Sequence, residues 1–339
     1  MSRLFFSLAL SALLPLGASG AGLDVPRDTS FTRIGNYHHV LKKHPDFVLM
    51  PDTLPAGVRE VLDVEYTAIK NSPYGDRKLH ADIFRPDDGD VYPALIMIHG
   101  GGWNSGDKSL QRPMARHIAA RGYVTIPVEY RLIPEALYPA GFHDVKTAVR
   151  WVRSNAASLG VDPDKIAVSG CSAGGQLAAL TGVTNGSDRH EGDGEWSGVS
   201  SDVQAVVNMD GVCTFVSPHN IADADRRLLE KGTTTISAVW LGGTFSQASD
   251  NWNEASAINW ISDKSAPMCF INSALPRFCD GRDDLMRNYK ERNILAECHV
   301  MPVDVHTFWF FTPWAEQTIE YTVDFLDRIF KRNLMDKKN

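Results

Sequence analysis

Gly170-Cys171-Ser172-Ala173-Gly174 sets one serine among small residues, directly after the apolar run Lys165–Ser169. A serine hydroxyl is a weak nucleophile until a base takes its proton. A tight strand-to-helix turn lifts that hydroxyl clear of the backbone, where a base can reach it. A second glycine-rich stretch, His99-Gly100-Gly101-Gly102-Trp103, follows another apolar run, Tyr92–Ile98. Without Cβ atoms, Gly101 and Gly102 can aim N–H groups at a developing oxyanion, and the N–H of Ala173, next after the serine, would join them. One such donor contributes about 3 kcal/mol in the transition state. G-x-S-x-G alone is a weak pattern. Paired with an upstream HGGG, each after a strand-like run, it specifies acyl transfer through Ser172. His99 and Trp103 are expected to shape the loop rather than to react.

The serine needs a base and the base needs an acid, in the chain order serine, acid, histidine for this arrangement. Downstream histidines are His190, His219, His299 and His306. His190 and His219 fall in segments outside the strand pattern, and His299 lies within the last strand-like run. His306 follows that run directly, at the sheet edge where Ser172 must also sit, and is the expected base. The acid is expected after the strand-like run Met268–Ser273, in Ala274-Leu-Pro-Arg-Phe-Cys-Asp280-Gly-Arg-Asp283-Asp284. No carboxylate stands in its first six positions. Spacing favours Asp283, with Asp280 next, Asp284 also open and Asp304 further out. Each could equally be a carboxylate satisfying free N–H groups at a helix start.

These groups need a scaffold. Val61–Ala68 and Lys78–Phe84 alternate as half-exposed strands do, whereas Tyr92–Ile98 is apolar throughout, as a strand covered on both faces should be. Helix-like 110–121, strand-like 123–129, a long helix over 143–159, strand 165–169, helix 173–181, strand 203–209, strand 268–273, a short helix near 284–293, strand 297–302 and a final helix over 315–330 then alternate. This predicts an α/β fold, a mostly parallel central sheet covered by helices on both faces. Residues 185–198 read as a loop. Residues 214–262, with Trp240, Trp252 and Trp260, read as a small cap insertion overhanging the carboxyl ends of the strands and shaping the pocket. The polar stretch up to about Pro55, with His38-His39 and Lys42-Lys43-His44, lacks metal-ligand spacing and reads as solvated surface.

At 339 residues, 43% hydrophobic and 22% charged, the chain can bury one large core or a core plus a small cap. Its net charge of −7 gives no electrostatic reason to expect nucleic acid or an anionic membrane as partner. Arg3, the apolar run Leu4–Leu16 and the small residues Gly17–Ala21 have the form of a secretory signal peptide over residues 1–20. That run is shorter than the ~20 residues a bilayer span needs. Residues 21–339 would then form an exported α/β domain, secreted or periplasmic, with no stable membrane insertion. The five cysteines match no metal motif. Cys171 and Cys269 read as buried thiols, and Cys279 with Cys298 could form a bridge. Nothing in the pattern calls for a cofactor or metal.

The blocks His99–Trp103, Tyr130-Arg-Leu-Ile-Pro-Glu-Ala-Leu-Tyr-Pro-Ala140 with Asp144, and Gly170–Gly175 resemble the α/β-hydrolase esterases related to hormone-sensitive lipase and to bacterial feruloyl and acetyl esterases, over roughly residues 60–335. The C-terminal stretch, Phe270–Phe278 with Gly281-Arg-Asp-Asp and His306-Thr-Phe-Trp, is similar to bacterial carbohydrate esterases linked to pectin and hemicellulose breakdown. The resemblance implies an α/β-hydrolase fold and an exported serine esterase removing acetyl or other small acyl groups from plant cell-wall carbohydrate. A general short-chain carboxylesterase or lipase, and a non-catalytic binding protein on the same scaffold, are the alternatives. Those relatives usually carry the acid in His-Gly-x-x-Asp after the strand. Asn272-Ser-Ala-Leu-Pro stands here instead, so no acid is carried over by motif.

Overall fold

Strand β4 (Tyr92–Ile98) lies at the centre of the molecule because both of its faces are apolar. Ala94, Ile96 and Ile98 face one core, Leu95 and Met97 the other, and all five are fully buried. The computed structural model describes residues 25, 26, 28 and 30–331. Residues 1–20, where a signal peptide is expected, lie outside them.

In chain order the elements are α1 (Arg33–Val40), β1 (Val48–Leu49), β2 (Val58–Ser72), β3 (Gly75–Pro86), β4, α2 (Arg112–Ala119), β5 (Val124–Val128), α3 (Ala140–Ser154), α4 (Ala156–Leu159), β6 (Val161–Cys171), α5 (Ala173–Val183), β7 (Ala205–Met209), α6 (Pro218–Lys231), α7 (Ile236–Trp240), α8 (Phe245–Glu254), β8 (Met268–Asn272), α9 (Arg282–Glu291), β9 (Ala296–Val300), β10 (Phe311–Thr312) and α10 (Trp314–Phe330). Eight strands form one sheet in the order β2-β3-β5-β4-β6-β7-β8-β9. The pairs from β5 through β9 are parallel, and β2–β3 and β3–β5 are antiparallel. The mostly parallel sheet expected from the alternation is therefore present, with an antiparallel edge.

Both faces are covered. Helices α3, α5 and α9, with Phe142, Val149, Leu177, Leu180 and Leu285, close one side. Helices α2 and α10, with Met114, Ile118, Ile319, Phe325 and Leu326, close the other. Every residue of α5 is buried. Its small residues let it lie close against the strand that leads into it. Among the described residues no helix is long and apolar enough to cross a membrane.

The insertion expected over 214–262 is present, but among the described residues it does not line the pocket. Its Trp240 and Trp252 are buried, and Trp240 stacks on Trp103 with centroids 4.7 Å apart and rings 11° from parallel. Large aromatic surfaces bury more area against one another than an open platform would allow. The segment thus forms a solid buttress behind the HGGG loop. The polar stretch before Pro55 is likewise more than solvated surface. Thr32 caps α1 by accepting from the N–H of Gly35, β1 pairs antiparallel with β10, and Thr307 Oγ1 donates to Asn36 Oδ1 at 2.7 Å. These ties bring α1 against the loop that carries His306. The cysteines are all free thiols, so Cys279 and Cys298 are not bridged.

Candidate active site

β6 runs to Cys171 and α5 begins at Ala173, which leaves Ser172 alone in the turn at φ +56°, ψ −119°. A non-glycine residue in this region is strained. The neighbours enforce it, because the Ser172 N–H donates to the Met209 carbonyl at 2.7 Å. The turn closes only because its flanks have no side chains. A Cβ on Gly170 would lie 2.0 Å from the Gly174 carbonyl oxygen, and one on Gly174 would lie 2.2 Å from the Ile98 carbonyl oxygen. Those contacts are backbone and cannot swing away. Gly174→Ala should therefore destabilise the fold by about 3 kcal/mol or more, read as a lowered denaturation midpoint. Gly198→Ala, where the new methyl group meets nothing within 4 Å, is the matched control and should leave the midpoint unmoved.

The HGGG loop leaves β4 beside this turn and is fixed from behind. Tyr130 Oη donates to the His99 carbonyl at 2.9 Å, and the two rings stack at 4.5 Å. Trp103 Nε1 donates to Gln176 Oε1 at 3.1 Å. The Gly101 carbonyl accepts from the N–H groups of Asn104 and Ser105 and from Ser105 Oγ. A peptide unit is planar and trans, so anchoring that carbonyl turns the Gly102 N–H of the same unit the opposite way. Among the described residues no hydrogen bond uses the N–H of Gly101 or Gly102. The N–H of Ala173, in the first turn of α5, has no partner within its helix. The Tyr130-Arg131 block is a brace. Arg131 holds Asp144 through Nε and Nη2, at distances from 2.7 Å.

His306 sits in the loop between β9 and β10. Its Nε2 lies 2.7 Å from Ser172 Oγ and its Nδ1 lies 2.9 Å from Asp210 Oδ2. The carboxylate on the imidazole is therefore Asp210, and the expectation of Asp283 is corrected. Asp283 is 72% exposed and pairs with its neighbour Arg282. Asp284 pairs with Arg287 on the surface, Asp280 accepts from Asn220 Nδ2 at 2.8 Å, and Asp304 faces His44 at 3.5 Å. Asp283 and Asp284 lie in the first turn of α9, where acidic side chains favour the helix dipole and project into solvent.

Asp210 follows β7, one strand nearer to the serine than the expected place. β7 pairs with β6, so its carboxyl end lies about 4.8 Å from that of the nucleophile strand. The missing acid after β8 has a physical counterpart. Ser273 donates to Asp210 through its N–H (2.8 Å to Oδ1) and through Oγ (2.7 Å to Oδ2), and Asn272 Nδ2 donates to Oδ1 at 3.2 Å. The end of β8 thus supplies donors that hold a carboxylate from β7. Asp210 is 1% exposed, and these bonds together with the imidazole satisfy it. The apolar run 203–209 ending in Asp210-Gly211 was the available signal, a carboxylate at the carboxyl end of a parallel strand.

Phe278 stacks parallel on the imidazole with centroids 3.6 Å apart, and Trp309 meets its edge at 5.3 Å. Burial pushes His306 below its ordinary value of 6.5 and the Arg277 charge adds to that, while Asp210 opposes both. Burial pushes the Cys171 thiol up to about 12, so it stays protonated beside the serine. A cavity of about 730 Å³ opens over Ser172 and His306. Its glycine side is Gly100–Gly102, and its other walls are α1 with the residues just after it, Leu275–Arg277 and Asp304–Phe310. Among the described residues Trp309 is the one tryptophan on it, and none of 214–262 lines it.

The BD-FAE family profile matches residues 81–275, more than half of the chain. Carboxylesterase NlhH of Mycobacterium tuberculosis is 47% identical over 92 residues, covering 27% of this chain and 29% of the relative. Esterase LipC of the same species is 37% identical over 142 residues, covering 41% and 35%. The chain thus spans about a third of the length of these curated relatives. Among solved structures, a truncated carbohydrate esterase from gut microbiota superposes with a TM-score of 0.66 at 27% identity, covering 80% of this chain and 95% of that one. The butyrate-bound Est2 esterase of the planctomycete Thermogutta terrifontis gives 0.64 at 25% identity, covering 81% and 95%. The fold is that of the α/β hydrolases.

Proposed function

The chain belongs to the BD-FAE family of α/β hydrolases, and from that premise we propose that it is a serine esterase acting through an acyl-enzyme. One observation carries the reading: the unbroken line Ser172 Oγ, His306 Nε2, His306 Nδ1, Asp210 Oδ2, at 2.7 and 2.9 Å, beside a loop of glycine amides. Ser172 Oγ attacks the ester carbonyl while His306 Nε2 takes its proton. The N–H groups of Gly101, Gly102 and Ala173 stabilise the oxyanion. His306 returns the proton to the leaving alcohol, and water then releases the acyl group by the same steps. Asp210 holds the tautomer with its proton on Nδ1 and stabilises the imidazolium.

The finer reading is an exported enzyme, secreted or periplasmic, that removes acetyl or another small acyl group from plant cell-wall carbohydrate. The likeness to a carbohydrate esterase, the signal-peptide pattern of residues 1–20 and the aromatic walls Phe31, Trp309 and Phe310 support it. A general short-chain carboxylesterase is the second reading, favoured by the likeness to NlhH. Acetate release from acetylated xylan or pectin, set against turnover of simple acyl esters, separates the two.

The test of the mechanism is a fluorophosphonate probe. It should label the protein at Ser172, whereas a non-catalytic binding protein would stay unlabelled. The pH profile gives a second check. A protonated imidazole cannot accept the serine proton, so kcat/KM is lost as pH falls through the folded-state pKa of His306. That pKa is depressed, which puts the midpoint of the acid limb below 6.5 for 4-nitrophenyl acetate. A midpoint above 6.5 would contradict the described surroundings of the ring.

A further inference from the structure

The chain carries 41 acidic and 34 basic residues, yet the cavity over Ser172 has the opposite balance. Lys43 and Arg277 line it against one carboxylate, Asp304, and that carboxylate faces His44 at 3.5 Å. Other buried arginines meet acids, as Arg131 meets Asp144, Arg150 meets Glu191 and Arg116 meets Glu60, whereas Arg85 and Arg153 spend their donors on backbone carbonyls. Among the described residues no carboxylate lies within ion-pair distance of Lys43 or Arg277. Two cations thus line a reaction cavity with no acid among the described residues in ion-pair contact with them.

The place of Arg277 is set by stacking. Its guanidinium lies 4.6 Å from the centroid of Phe278, and Phe278 stacks in turn on His306 at 3.6 Å. A guanidinium resting on an aromatic ring keeps its N–H donors free for a planar oxyanion. The side on which it lies follows from the reaction. The acyl oxygen must face the glycine amides, and the alcohol oxygen must come within reach of His306 Nε2 to receive its proton. Arg277 lines the same cavity and is joined to the imidazole through Phe278, so the alcohol half, which must approach that imidazole, is the half assigned to it.

We propose that the ester accepted here carries a carboxylate on its alcohol portion, as in an acylated uronic acid sugar, and that Arg277 and Lys43 bind that carboxylate. This rests on the esterase reading above. The cationic cavity in an acidic protein also draws such a substrate in, an attraction that salt weakens. Arg277 is the specificity-determining contact and Lys43, just after α1, is the second.

The experiment compares three esters: a methyl galactoside acetylated at one hydroxyl, the methyl galacturonide acetylated at the same hydroxyl, and the methyl galactoside bearing a succinyl half-ester there. Wild-type kcat/KM for the uronide should exceed that for the neutral acetate by about tenfold or more at low ionic strength, and the ratio should shrink with added salt. Arg277→Gln should lower that ratio several-fold and Arg277→Lys should restore part of it. Lys43→Gln should lower it less. Equal turnover of uronide and neutral acetate overturns the inference alone. An Arg277-dependent preference for the succinyl ester over the acetate overturns the placement of the anion on the alcohol. Turnover of none of the three, with no fluorophosphonate labelling, overturns the esterase reading and this inference with it. The wild-type ratio needs no variant, so a folding defect in any of the three does not blunt the test.

Discussion

Asp210→Asn should lower kcat for 4-nitrophenyl acetate by about 10⁴-fold while the protein keeps its fold. Size alone would suggest a mild change, since the two side chains are isosteric. The loss comes from which end of the amide can face the ring. Oδ1 of Asp210 accepts from the Ser273 N–H and from Asn272 Nδ2, two donors that cannot become acceptors. An asparagine must keep its carbonyl oxygen there, which turns its NH₂ toward Ser273 Oγ and His306 Nδ1. The imidazole then accepts at Nδ1 and carries its proton on Nε2, the nitrogen that should receive the serine proton. The acid limb of the residual activity should also move to lower pH, because Asp210 is the group that holds the His306 pKa up. Asp283→Asn is the decisive companion. That carboxylate is exposed and paired with Arg282, so its loss should leave kcat within about twofold. The reverse pattern, a dead Asp283 variant and an active Asp210 variant, would remove the described site geometry from consideration.

Ser172→Ala should reduce kcat by about 10⁵- to 10⁶-fold and abolish fluorophosphonate labelling. The turn itself should survive, because its geometry rests on the Ser172 N–H to Met209 carbonyl bond and on the flanking glycines, none of which uses the hydroxyl. Thermal unfolding should therefore change little while turnover collapses. A small residual rate over water is expected from the glycine amides and substrate binding. Substantial turnover by the pure alanine variant would mean that another group attacks the ester. Cys171 is the adjacent alternative, and its buried protonated thiol makes it a poor one.

Local pattern was enough wherever the chemistry is written in a few consecutive residues. The elbow around Ser172 and the HGGG loop each need glycine at particular positions, because a Cβ at Gly170 or Gly174 would enter backbone at about 2 Å. Composition has to show such a constraint. His306 was also legible, since a histidine just after the last parallel strand has one sheet edge to occupy. The parallel sheet followed from fully apolar runs such as Tyr92–Ile98, which only burial on both faces explains.

The acid and the pocket walls were decided by tertiary structure. β7 and β8 are neighbours, so a carboxylate on either could reach the same imidazole, and the choice lies in contacts between residues far apart in the chain: Asp210 with Ser273 and with His306. The pocket wall behaves likewise. Helix α1 is polar and unremarkable by itself, and it becomes a wall because β1 pairs with β10 and Asn36 bonds Thr307, more than 260 positions away. Short-range periodicity records which face of an element is buried. It carries no record of which distant element covers that face, because the covering depends on strand order and on hydrogen bonds that exist only once the sheet is assembled.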